Sequence, residues 1–213
     1  MKKIIRAIIK VTGFLSALIY FKPKIRYSDK KEFKKTKKGK VIVASNHINY
    51  LDFVLFLLIF WNRHIRCLVG ETLYEKNKFL KWLLNIFESI KVERSNFDMS
   101  FLSKAIGVLE NDGMLEIYPE AIFKNNNPVG DFKLSTVYIA YHSKSKIIPI
   151  YHKGNYGIFK REKVFIGKPF DIREYLLTEN PSIVDFQKVN DILEREIRSL
   201  SQYNKGAKND REN

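Results

Sequence analysis

The chain predicts an α/β domain: a mostly parallel or mixed central sheet flanked by helices, preceded by an N-terminal amphipathic helix suited to a membrane interface. Three observations carry this expectation. Short apolar runs of strand length alternate with longer helical patterns. The 213 residues fit one domain of moderate size, with no internal repeat or linker to divide it. Charge is also lopsided, because residues 1–40 hold 14 Lys and Arg against Asp29 and Glu32, a net +12 of the total +15.

That leader comes first. Ile4, Ile5, Ile8, Ile9, Thr12, Leu15 and Ile19 follow helical spacing, while Lys3, Arg6 and Lys10 recur on another side. The uncharged stretch 11–21 is much shorter than the roughly 20 residues that span a bilayer, so the helix is expected to lie in the interface. No small-residue cleavage site follows, so a removed signal peptide is not expected. The polybasic run 30–40 adds attraction to an anionic membrane surface, about 1 kcal/mol for each cation near it. Nucleic acid is the rival anionic partner, but no recognised nucleic-acid module is present, and none is expected to bind.

Beyond the leader, strands are expected at 41–45, 65–69, 89–92, 114–118, 147–151 and 164–167. Helices fit 50–61, 77–87, 97–111, 133–142 and 181–203, and the polar tail 204–213 is expected to be disordered. Two helices are unusual. Residues 53–61 are apolar throughout, and 79–87 are apolar except for Lys81 and Asn85. Such helices are either core or the lining of a slot for an acyl chain. The single cysteine, Cys67, lies in an apolar strand with no partner for a disulfide or metal site, which makes a reducing, cytoplasmic setting the default.

The residues that carry chemistry follow the first of these strands, in Asn46-His47-Ile48-Asn49-Tyr50-Leu51-Asp52. The carboxyl ends of strands in open α/β sheets are where ligands bind. Positions five apart lie about 140° apart on a helix, so His47 and Asp52 can meet only if the motif straddles a loop and a helix start. With Asn49 as N-cap, Asp52 falls in the first turn, where the helix dipole keeps its carboxylate ionised. It can then fix the tautomer of His47, leaving the second ring nitrogen to take a proton from a hydroxyl. A bland alternative has Asp52 as a cap and His47 as a polar loop residue. His64, His142 and His152 have no metal-ligand spacing and are read as structural or surface residues, and no metal site is expected.

The Asn-His-x-x-x-x-Asp pattern, followed by Tyr118-Pro119-Glu120 at the end of a later strand, resembles the glycerolipid acyltransferase family, which includes the enzymes that acylate lysophosphatidate. The resemblance runs from about Val41 to Pro149 and makes residues 41–203 the acyltransferase domain. It implies that His47 deprotonates an acceptor hydroxyl for attack on an acyl thioester and that Asp52 orients it, with Asn46 beside the substrate. Ser89-Ile90-Lys91-Val92-Glu93-Arg94 is similar to the second motif, which implies that Arg94 binds acceptor phosphate. The third motif is normally Phe-Pro-Glu-Gly-Thr-Arg; here Pro119 and Glu120 are kept as substrate-binding candidates, while Ala121, Ile122 and Phe123 replace glycine, threonine and arginine. Lys124 and Lys133 are the cations able to replace the missing arginine. Ile147-Ile148-Pro149-Ile150 is similar to the family's fourth element.

The resemblance implies a membrane-associated enzyme on the cytoplasmic face of the cell membrane, peripheral or monotopic. Its donor would be acyl carrier protein thioester (acyl-ACP) or acyl-CoA, its acceptor a lysophospholipid such as 1-acyl-glycerol-3-phosphate, and it would need no cofactor. The altered third motif leaves two alternatives: a different lysolipid acceptor, or a lipid-binding member without catalysis.

Overall fold

The computed structural model describes residues 1–93, 99–121, 132–176, 178 and 180–209. Arg94 and Lys124 lie outside the described residues. In chain order the elements are α1 (Lys2–Phe21), β1 (Lys24–Tyr27), α2 (Lys30–Lys35), β2 (Val41–Ser45), α3 (Asp52–Ile59), β3 (Ile65–Gly70), α4 (Glu71–Tyr74), α5 (Lys78–Ile86), β4 (Ile90–Val92), α6 (Ser100–Glu110), β5 (Met114–Ile117), α7 (Ser135–Ser143), β6 (Lys146–His152), β7 (Lys163–Ile166) and α8 (Ile183–Asn209). Seven strands form one sheet in the order β1-β7-β6-β2-β5-β3-β4. Every neighbouring pair is parallel except β6 and β7. The expected α/β class, mixed sheet and N-terminal apolar helix are all present.

Burial on both faces explains why the central strands are continuous apolar runs. All five residues of β2 are buried. Ile42 and Ala44 face a core shared with Leu109, Val137, Leu193 and Ile197 of α6, α7 and α8. Val41 and Val43 face the opposite core, with Phe21, Phe33, Leu55 and Phe56 from α1, α2 and α3.

Two parts of the chain differ from expectation. β1 lies inside the segment read as leader, where it pairs in parallel with β7 from Lys24↔Lys163 to Tyr27↔Ile166. Its alternating exposed and half-buried residues fit an edge strand with a single neighbour. At the other end, α8 continues to Asn209, past Asn204, where disorder was expected.

The helix α1 is 20 residues long and apolar enough to cross a membrane, but it is fastened along the domain. The buried Arg6 guanidinium donates to the Ile86 carbonyl at 3.0 Å and to Glu88 at 3.1 Å, and Glu88 also accepts from Arg66. One turn on, Lys10 Nζ donates to the carbonyls of Trp61 and Arg63, just past the C-terminus of α3. The outer face is left apolar and bare, with Ile4, Ile8, Val11 and Leu15 all more than half exposed.

Candidate active site

The ends of β2, β5 and β6, neighbours in the sheet, bring the site together. After Ser45 the chain leaves β2, and α3 opens at Asp52 rather than one turn earlier. Asn49 still organises the turn: its side chain accepts from the Leu51 amide at 3.0 Å, and its carbonyl accepts from the Asp52 amide at 3.0 Å. This geometry folds the Asp52 carboxylate back over the loop. Oδ2 meets His47 Nδ1 at 2.8 Å and accepts from the amides of Ile48 at 2.8 Å and Asn49 at 2.9 Å. Oδ1 accepts from the Tyr156 hydroxyl.

Asp52 is wholly buried, and burial alone would raise its carboxyl pKa. The hydrogen bond from His47, the nearby His152, the Asn49 amide and Tyr156 outweigh burial and hold it below the ordinary carboxylate range. An ionised carboxylate only accepts, so the proton on the neutral His47 ring resides on Nδ1. Nε2 is therefore the proton-accepting nitrogen. The ring is fixed from below by stacking on Tyr118, with centroids 4.1 Å apart and planes 18° apart.

His152 enters this site although its sequence position suggested a structural role. Ser45 pairs with Ile150, so two residues on in the parallel register His152 comes alongside His47. Asn46, expected at the substrate, is fully buried, and its amide is engaged by the His152 backbone: Nδ2 donates to the carbonyl and Oδ1 accepts from the amide, each at 2.9 Å. His152 Nε2 lies 3.0 Å from the Asn46 carbonyl, which can only accept, so that nitrogen carries hydrogen. Burial lowers the His152 pKa, against the pull of Asp52 and Asn46, and leaves Nδ1 as an acceptor 3.1 Å from the Tyr156 hydroxyl. Tyr156 thus bridges Asp52 and His152. No motif marks Tyr156, and only the fold brings it here.

Tyr156 and His152 touch the carboxylate but not the cavity, so they are positioning residues. Tyr156→Phe is expected to lower kcat about tenfold with little change in KM, since one hydrogen bond to a charged group is worth about 1.5–3 kcal/mol. With one donor fewer, Asp52 would polarise His47 more strongly, moving the acid limb of the pH–rate profile upward. A purely structural tyrosine would leave that limb in place.

The β5 end supplies the other candidates. Pro119 and Glu120 are buried, and the Pro119 carbonyl accepts from the Lys133 amide at 2.8 Å, drawing the exposed Lys133 to this strand end. Ala121, which stands where the family motif has glycine, has φ 60°, a left-handed conformation costing a non-glycine residue about 1 kcal/mol. Below them, the Tyr118 hydroxyl donates to Glu116, whose carboxyl pKa burial pushes well up.

His47, Tyr118, Ala121 and Lys133 line a cavity of about 990 Å³ that runs between α1, α3 and α5. Its far walls are apolar, built from Phe14, Val54, Leu57, Leu80 and Leu83 among others. This accounts for the all-round apolarity of residues 53–61: one side of α3 is core, and the other faces the cavity. Cys67 also lines the cavity, but burial, together with Glu116 and Asp52, raises its thiol pKa well up, which keeps it protonated and a poor nucleophile.

Comparison with known proteins gives the same direction. The fold is similar to the crystal structure of the 1-acyl-sn-glycerophosphate (LPA) acyltransferase PlsC from Thermotoga maritima, with a TM-score of 0.64, 17% sequence identity, and coverage of 92% of this chain and 78% of that one. No curated protein sequence matches the chain. A family model described as Acyltransferase matches residues 24–153, from β1 through the end of β6, and so takes in His47, Asp52, the third-motif residues and His152. That match spans more than half of the sequence, and the chain belongs to the acyltransferase family.

Proposed function

We propose that the protein moves a fatty acyl group from acyl-ACP or acyl-CoA to the free hydroxyl of a lysophospholipid such as 1-acyl-glycerol-3-phosphate, at the surface of an anionic membrane. The observation that carries this reading is the His47 ring set into the wall of a large apolar cavity. A base in that place meets a hydroxyl on a molecule that also has a long hydrocarbon chain. His47 Nε2 takes the hydroxyl proton, the oxygen attacks the thioester carbonyl, and the thiol leaves as the carbonyl re-forms. Asp52 balances the imidazolium that forms in this step. Exposed Lys133 at the mouth is suited to the acceptor phosphate, with Arg94 and Lys124 as further candidates. Among solved neighbours, one is itself a 1-acyl-sn-glycerophosphate acyltransferase, which favours the same acceptor.

Membrane association rests on α1. Its inner face is tied to the domain through Arg6 and Lys10, and its outer face is an apolar stripe continued on the neighbouring α5 by exposed Phe79 and Trp82. A helix held in this way favours lying in one leaflet, on the cytoplasmic face, over crossing the bilayer.

A second acceptor class is favoured by Ala121, whose Cβ and strained φ occupy the position of the motif glycine and narrow the approach to the β5 end. Incubating the purified protein with one labelled acyl thioester and a panel of lysolipids tests both readings. Transfer to lysophosphatidate supports the first reading, transfer only to another lysolipid supports the second, and no acceptor-dependent product contradicts both.

A further inference from the structure

The loop joining β6 to β7, residues 153–162, is rigidly built, yet its tip is bare. Buried Glu162 accepts from the amides of Lys153 at 2.7 Å, Gly154 at 3.1 Å and Asn155. The loop is also bound to the end of α1. The Gly157 amide donates to the Tyr20 carbonyl at 3.3 Å, the Glu162 amide to the Phe21 carbonyl at 2.9 Å, and the Lys24 amide to the Glu162 carbonyl at 2.8 Å. From this base Ile158 and Phe159 project into solvent, 55% and 100% exposed. An isoleucine and a phenylalanine held outward side by side on a braced turn have no use in the core.

Their surroundings identify an occupant. Lys22, Lys24, Lys160 and Arg161 are all exposed around the tip, and the one acid of the loop, Glu162, is buried beneath it. Leu18, Lys22, Lys24 and Arg161 border one shallow notch, so the tip adjoins the C-terminal end of the α1 stripe, where Leu15, Leu18 and Ile19 are exposed. Apolar side chains ringed by cations match a bilayer interface, with hydrocarbon inside and phosphate at the rim.

We propose that Ile158 and Phe159 form a second membrane wedge, inserted into an anionic leaflet beside α1, with the four surrounding cations on lipid phosphates. The inference rests on the reading of α1 as an interface helix and extends it to a separate element. The same loop carries Tyr156, so the segment that meets lipid also holds the catalytic carboxylate.

The test uses the full chain with an environment-sensitive dye on F159C, and on K188C of α8, across the sheet, as a control; native Cys67 is buried and protected from labelling. With vesicles of phosphatidylcholine and phosphatidylglycerol, emission at position 159 is expected to rise and shift to the blue while position 188 stays unchanged. The double variant I158S/F159S is expected to partition about tenfold less onto these vesicles. Its activity on dispersed short-chain substrates should stay at the wild-type level. The variant L15E, in the α1 stripe, separates the two claims. If L15E loses vesicle binding while I158S/F159S binds like wild type, or the dye at 159 still reports water on bound protein, the wedge is overturned and the α1 reading stands. If wild type does not bind vesicles at all, both fall.

Discussion

His47→Ala is expected to lower kcat about 10²–10⁴-fold, the range supplied by a positioned general base, while leaving the fold and vesicle binding intact. The alanine removes the only imidazole that lines the cavity among the described residues. His152 cannot take over, because it is fully buried, with Nε2 bonded to the Asn46 carbonyl and Nδ1 facing Tyr156. The structural cost should be small, since the ring's specific contacts are the Asp52 bond and the stack on Tyr118. Steady-state thiol release checks the rate, and sedimentation with anionic vesicles checks the binding. Full activity in the variant would remove His47 from the mechanism.

Asp52→Asn is expected to lower kcat about 10²-fold, corresponding to about 3 kcal/mol of lost support for the imidazolium. The reason is charge more than shape. Three donors converge on Oδ2, from His47, Ile48 and Asn49, so the carboxamide oxygen must take that place and the NH2 group must face Tyr156. Tyr156 can accept from that NH2 group while donating to His152 Nδ1, which preserves the network. The His47 tautomer then survives, but the negative charge that stabilises its protonated form does not. The acid limb of the pH–rate profile should move to lower pH, opposite to the shift for Tyr156→Phe. Asp52→Ala would instead orphan buried amides and cost stability, about 1–3 kcal/mol for each unsatisfied group, so the asparagine variant is the cleaner probe.

The strands of the central sheet were legible because burial on both faces writes them as uninterrupted apolar runs, as in Val41–Ser45. The edge strand Lys24–Tyr27 was not legible. It has one neighbour, half of its residues face water, and its Lys and Arg merge with the surrounding cationic run. The tail was misjudged for a similar reason: residues 204–209 are polar and lack an apolar stripe, yet α8 continues through them. In the site, the contact between His47 and Asp52 was readable from spacing, since it depends on one loop and one helix start. Tyr156 was not readable, because its place depends on β6 lying beside β2, a pairing between segments about a hundred residues apart. Apolarity on every side of residues 53–61 pointed to a lipid slot, but only the packing of α1 and α5 over α3 shows the cavity.

The central claim is direct transfer, in which His47 activates the acceptor and no acyl-enzyme forms. Cys67 makes this testable, because it lines the same cavity and is the one side chain there with a thiol. Rapid mixing of the protein with an acyl thioester, with and without lysophosphatidate, followed by intact-mass measurement, separates the two routes. The predicted result is thiol release only when the acceptor is present and an unmodified protein mass throughout. A stoichiometric burst of thiol without acceptor, together with a protein heavier by one acyl group, would contradict it.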